Sequence, residues 1–160
     1  MISIRRIRRG DSPLYQSIRL RALKEDPHAF CATYESALQR TDESWSKQVY
    51  DAAEGSSQAI FLAFEADNAV GLAAVYRDDT KVDEAEVFQV WVSSESRGKG
   101  VGKAIMNKVI DWCGRAGYAR VVATIRNTNL EAFGFYEMYG FEKRSENGEE
   151  VTMVKETKTR

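Results

Sequence analysis

The chain has 160 residues, 43% hydrophobic and 29% charged, with 23 Lys and Arg against 24 Asp and Glu. The resulting net charge of −1 excludes a global basic field for nucleic acid and an acidic, disordered composition. The length suits one domain over 1–160, large enough to bury roughly 70% of its unfolded surface.

Cys31 and Cys113, the two cysteines, read as buried small hydrophobes of a reducing compartment rather than a disulfide pair. The first ten residues carry charge but no apolar signal core. The longest apolar run, Ala59 to Phe64, is too short to span a bilayer, so the expectation is a cytoplasmic protein without a membrane partner.

Ile2, Ile4 and Ile7 predict a first strand. Arg5, Arg6, Arg8 and Arg9 around them read as its solvated face rather than a nucleic-acid arm, because no aromatics interleave. Asp11-Ser12-Pro13 starts a helix, with Ser12 able to cap and Pro13 suited to the first position. Leu14, Ile18, Ala22 and Leu23 give its buried face, and Asp26-Pro27 ends it. Residues 28–41 lack clean periodicity. A second helix from Asp42 turns Trp45, Val49 and Ala52 or Ala53 inward, closed by Gly55-Ser56-Ser57. Ala59 to Glu65 and Val70 to Tyr76 form a hairpin across Asp67-Asn68, where Gly71 marks a bulge or a close backbone approach. Polar residues 77–83 turn the chain into another strand, Glu86 to Val92.

That strand feeds Arg97-Gly98-Lys99-Gly100-Val101-Gly102 and then a helix with Val101, Ile105, Val109 and Trp112 on one face. A glycine-rich turn opening a helix is an anion cradle, because the first amides are unpaired and the macrodipole adds positive charge. A P-loop is excluded: Lys99 precedes Gly100 and Lys103 precedes Ala104, where Ser or Thr is required. The dinucleotide fingerprint is also missed, since the glycines alternate at 98, 100 and 102. Tyr118 to Ile125 predicts a strand, and Arg126 to Asn129 opens a helix that runs through Tyr139 to Gly140. Phe141 to Arg144 and Val151 to Lys155 pair around Asn147-Gly148. The order βααβββαβαββ describes an α/β (α+β) mixed sheet, with a central antiparallel meander and one parallel crossover.

Val90-Trp91-Val92, the glycine loop, and Asn129 with Phe135-Tyr136-Glu137-Met138-Tyr139-Gly140-Phe141 together resemble the GNAT superfamily of acyl-CoA-dependent N-acyltransferases. The resemblance covers nearly the whole chain. Arg97, Gly100 and Gly102 satisfy the family's pyrophosphate motif, (Q/R)-x-x-G-x-(G/A), and Asn129, Tyr136-Glu137 and Gly140-Phe141 match its later pattern. The resemblance implies a twisted sheet flanked by helices on both faces, binding acetyl-CoA across its splayed middle. It implies transfer of acetyl to a primary amine on a small molecule or peptide, with no metal, in a chain able to form a homodimer through its C-terminal strands.

Residue by residue, the resemblance implies that Arg97 and the amides of Gly98, Lys99, Gly100, Val101, Gly102 and Lys103 hold the pyrophosphate. Lys99 and Lys103 either add charge there or are solvated. Val90, Trp91 and Val92 meet the pantetheine arm through their main chain. Asn129 contacts cofactor, and Tyr136, two helical turns on, protonates the departing thiolate; phenol and thiol pKa values of about 10 and 8.5 are close enough for this. Gly134, costing about 1 kcal/mol relative to alanine, either makes room for cofactor or packs against a strand.

An amine of pKa about 10.4 is neutral once in ~2,500 at pH 7, a deficit of about 4.6 kcal/mol. A carboxylate or an ordered water chain can remove that proton. The resemblance implies Glu86, at the position where some members supply a glutamate base; the other reading of Glu86 is an exposed strand-end charge. Alternation places it on the face of Phe88, Val90 and Val92. His28, Phe30, Tyr34 and Glu35 border the acceptor site or serve as loop and packing residues. Neither cysteine has a nucleophile's surroundings, so direct transfer without a covalent intermediate is expected. The alternative is an acyl-CoA sensor or scaffold of the same fold without turnover.

Overall fold

The computed structural model describes residues 1–77, 80–81 and 83–157; the middle of the polar turn expected over 77–83 lies outside them. In chain order the elements are β1 (Ile2–Arg6), α1 (Ser12–Glu25), α2 (Tyr34–Leu38), α3 (Asp42–Ala53), β2 (Gln58–Glu65), β3 (Asn68–Arg77), β4 (Glu84–Val92), α4 (Val101–Arg115), β5 (Arg120–Arg126), α5 (Leu130–Met138), β6 (Glu142–Asn147) and β7 (Glu150–Glu156). The strands form one seven-stranded sheet in the order β1-β2-β3-β4-β5-β7-β6. Alternation along β2 and β3 feeds two cores. Phe61, Ala63, Ala73 and Val75 meet Val101, Ile105 and Val109 of α4 on one face. Ile60, Leu62, Leu72 and Ala74 meet Tyr15, Ile18, Leu23, Trp45 and Val49 of α1 and α3 on the other. No helix among the described residues is long and apolar enough to cross a membrane.

Two irregularities in the middle of the sheet create the site. The first is a seam. β4 and β5 are parallel but pair only over Glu84↔Arg120, Ala85↔Val121 and Glu86↔Val122, although β4 continues to Val92 and β5 to Arg126. Beyond Glu86 the two strands part. The second is a bulge. The β3–β4 register slips between Leu72↔Trp91 and Ala74↔Phe88, and Gln89 takes a left-handed φ of 61°. The extra residue reverses the alternation. Glu86 pairs with Tyr76, and the Phe88 ring meets the Tyr76 ring at 5.4 Å, on the α1 and α3 side. Val90 and Val92 pack on the α4 side. The expected common face for Glu86, Phe88, Val90 and Val92 is therefore wrong: the bulge divides it after Phe88.

Gly71 shows both features expected of it. It adjoins the β2–β3 register slip, and a Cβ there would stand 2.9 Å from the Trp91 carbonyl oxygen. Other readings need correction. α1 is preceded by Asp11, not capped by Ser12, which is its first residue; Asp11 instead accepts from Arg5 at 2.8 Å and from the Arg8 amide at 2.7 Å. Tyr15, rather than Leu14, is fully buried on that helix. The arginine cluster is not merely solvated: Arg6 donates to the carbonyls of Ala52, Gly55 and Gln58 and lies over Trp112. Cys31 is exposed while Cys113 is buried. Burial raises the Cys113 thiol to about 12, which leaves it without nucleophilic character.

Candidate active site

A groove of about 430 Å³ follows the splay of β4 from β5, walled also by the start of α4 and by α5. At one end lie Gly98, Gly100, Val101 and Gly102. Gly98 and Gly100 adopt φ of 79° and 86°, and a Cβ on either would meet nothing within 4 Å. These positions need glycine for backbone conformation, and they leave space in front of the loop. Gly102 has a different reason: a Cβ there would come within 2.9 Å of the Phe135 ring. Gly100 caps α4 without any side-chain bond, so no side chain at that position covers the first amides of a fifteen-residue helix. Those amides, the open space before them and the macrodipole fit a pyrophosphate.

Arg97 lines the same end. Its Nε donates to the Val92 carbonyl at 2.9 Å and its Nη2 to Asp26 Oδ2 at 2.9 Å. Asp26 also accepts from Trp91 Nε1 at 2.6 Å. One carboxylate at the end of α1 thus ties the glycine loop to β4. Lys99 instead pairs with Glu65 at 3.0 Å, and Lys103 is exposed on α4; neither lines the groove.

Further along, Val90, Trp91 and Val92 form one wall, with the Trp91 side chain buried in the α1–α3 core. Asn129, Ala132, Phe135, Tyr136 and Tyr139 form the other. Asn129 caps α5, its side chain accepting from the Ala132 amide at 3.0 Å, a structural duty in addition to its place on the groove. Tyr136 is 7% exposed and packs edge-on to Phe135 and Phe141. Burial first, and the Glu86 carboxylate second, raise its phenol pKa. The phenol therefore stays protonated and keeps a hydrogen to donate. Gly134, exposed on α5, neither packs on a strand nor lines the groove: a Cβ there meets nothing within 4 Å.

A second cleft, of about 610 Å³, opens on the other side of β4. Arg19, Phe30, Tyr76, Glu86, Phe88 and Gln89 are among its walls. Phe30, Phe88 and Gln89 border both spaces, so the groove and the cleft meet at the bulge. The bulge is held from beneath: Tyr15 donates to Gln89 Oε1 at 2.8 Å, and Gln48 donates to the hydroxyls of Tyr15 and Tyr76 at 3.1 and 3.0 Å.

Of the four acceptor candidates, Phe30 borders both spaces. His28 instead lines a separate recess beside Arg126 and Thr128. Tyr34 lies under Lys24 and Glu35 is exposed in the first turn of α2; neither borders the two spaces. Arg19 and Gln89 escaped the sequence reading. Arg19 had a signal, since it stands four residues from both Tyr15 and Leu23, in the middle of a buried helical stripe.

A seven-stranded mixed sheet split at a parallel seam, with a glycine loop at one end of the split, is the architecture that the resemblance to acyltransferases implies. The comparisons agree. The chain matches the acetyltransferase (GNAT) family over residues 18–141, and it belongs to that family. It is 32% identical over 111 residues to human N-acetyltransferase 8B, a match covering 68% of this chain and 48% of that protein. Matches to other relatives likewise span between 28% and 64% of their lengths. A GNAT-family acetyltransferase of Streptococcus pneumoniae superposes with a TM-score of 0.83 at 17% identity, over 98% of this chain and 99% of that one. The PaiA N-acetyltransferase of Thermoplasma acidophilum, determined in complex with coenzyme A, superposes at 0.80 and 16% identity over the same shares.

Proposed function

We propose that this chain transfers an acetyl group from acetyl-CoA to a primary amine by direct attack within a ternary complex. The observation that carries the reading is the meeting of two spaces at the β4 bulge. One runs from an uncapped helix N-terminus to Tyr136, and the other holds Glu86.

The loop amides and Arg97 hold the pyrophosphate, and the main chain of Val90 to Val92 offers the parted strand edge to the pantetheine arm. Glu86, directly or through water, accepts the proton that the ammonium must lose, offsetting the deficit of about 4.6 kcal/mol for an amine of pKa about 10.4 at pH 7. Backbone amides at the parted edge polarise the thioester carbonyl. Tyr136 donates a hydrogen bond to the departing sulfur. Its raised pKa makes full proton transfer to a thiolate, whose conjugate acid has a pKa of about 8.5, uphill. Tyr136 therefore stabilises the thiolate chiefly as a donor.

The test is release of CoA thiol from acetyl-CoA with a broad panel of amines. Initial-rate lines should intersect, and mass spectrometry should find no acetyl adduct on the protein; an adduct on Cys31 would overturn direct attack. Tyr136→Phe should lower kcat about 100-fold with the acetyl-CoA Kd within about twofold, as expected when a donor acts mainly in the transition state. Acetyl-CoA binding with no turnover for any amine would favour a sensor or scaffold. Thermal stabilisation by ATP and not by acetyl-CoA would overturn the cofactor assignment.

A further inference from the structure

Arg19 is the feature of the second cleft that the transfer chemistry leaves unused. It lies on α1 with only 6% of its surface exposed, and it lines the cleft that holds Glu86. Its Nη1 is buried without any hydrogen-bond partner. Among the described residues, no carboxylate lies within ion-pair distance of it. The charged and polar neighbours do not replace one. Phe30 stacks under the guanidinium at 4.6 Å, Arg40 is a like charge, and the Tyr15 and Tyr76 hydroxyls already accept from Gln48.

Burial lowers the pKa of Arg19, with the two tyrosines opposing and Arg40 adding to the effect. Arginine nevertheless remains charged. A buried charge with no counter-charge is among the costliest arrangements a fold can hold. It becomes favourable when a ligand brings the counter-charge, and the planar fork of N–H donors suits an oxyanion.

We propose that Arg19 is the anion-binding residue of the acceptor cleft, and that the acceptor is an amine carrying a small oxyanion, a carboxylate or a phosphate. This rests on the acetyl-transfer reading above. The cleft then presents one charge to each end of a zwitterion: Glu86 to the ammonium and Arg19 to the oxyanion. A polyamine would bring a second cation against a buried cation and is disfavoured.

The experiment compares kcat/KM for matched acceptors with acetyl-CoA saturating: phenylalanine against phenethylamine, 4-aminobutyrate against butylamine, and phosphoethanolamine and spermidine as further arms. At least one oxyanion-bearing amine should exceed its plain counterpart by about 30-fold, the factor for one charge-assisted contact. Arg19→Met should collapse that ratio toward one through KM, and Arg19→Lys should restore part of it. Preference for carboxylate or for phosphoethanolamine identifies the oxyanion. Preference for spermidine, or a ratio that survives Arg19→Met in folded protein, overturns the proposal.

If no amine turns over, the transfer reading fails separately. Arg19 is then tested by calorimetric titration of phenylalanine, 4-aminobutyrate and phosphoethanolamine into CoA-saturated protein. Binding lost in Arg19→Met and partly kept in Arg19→Lys supports the anion site. No binding, or equal binding by wild type and variants, overturns it.

Discussion

Gly134 and Gly102 show how one residue type serves opposite ends. A Cβ at Gly102 would collide with the Phe135 ring, whereas at Gly134 it would enter open space on an exposed helical turn. Glycine inside a helix costs about 1 kcal/mol relative to alanine, and nothing around Gly134 repays it. Gly134→Ala is therefore expected to raise Tm by about 2–4 °C with the acetyl-CoA Kd unchanged, measured by calorimetry. A tenfold weaker Kd would show that the position reserves room for cofactor after all. The groove lining was legible where a backbone demand marks the residue, as at the positive-φ Gly98 and Gly100 and the capping Asn129. Arg19 was not, because a charged residue beside an apolar stripe is usually a solvated neighbour, and only packing reveals which side of the stripe it takes.

At the scale of elements, the seam between β4 and β5 begins at a charged knot. Glu84 opens β4 with 5% of its surface exposed. Its Oε2 accepts from Arg120 of β5 at 3.1 Å and from Arg144 of β6 at 2.5 Å. Burial alone would raise the Glu84 carboxyl, but the hydrogen bonds from Arg144 and Arg120 and the charges of Arg144 and Lys81 outweigh it and hold the pKa below its ordinary value. The unfolded value is about 4.3, so the folded state favours the ionised form. The stabilisation is complete above that pH and is lost as pH falls through the folded value. Glu84→Gln should lower the urea midpoint at pH 7 and flatten its decline as the pH falls below about 4.3; parallel declines would refute the assignment. The strand itself was legible from its apolar residues, and so was the parallel crossover. The bulge was not: glutamine at φ 61° carries none of the glycine or asparagine signal by which a left-handed position is recognised. That single residue reversed the predicted facing of β4. The short α2 escaped for a related reason, being five residues long, too short to establish a period.

Across the whole molecule the sheet consists of two halves that share little. β1 to β4 form a continuous antiparallel set, β5, β7 and β6 form another, and among the described residues the strand pairing between them is the short parallel one that ends at Glu86↔Val122. The two halves also differ in cover. β2 and β3 are buried on both faces between α4 and the α1–α3 pair, while every residue of β6 is exposed. α5, with Leu130 and Met138 exposed at its ends, belongs to the less covered half. Segments with few buried contacts open at lower free energy than the global transition. Amides of α5 and β6 are therefore expected to exchange with deuterium well before those of β2 and β3. A ligand lying in the groove would touch β4 and the α4 loop on one side and α5 on the other, joining the halves where the backbone does not. Saturating acetyl-CoA at about 100 times its Kd stabilises the binding-competent state by about 2.7 kcal/mol, which slows exchange about 100-fold wherever opening breaks the site. Hydrogen exchange read by mass spectrometry should show that slowing in residues 97–104 and in α5, with β2 and β3 nearly unchanged below global unfolding. Protection confined to α1 and α3, or spread evenly over both halves, would mean that the ligand does not bridge the seam.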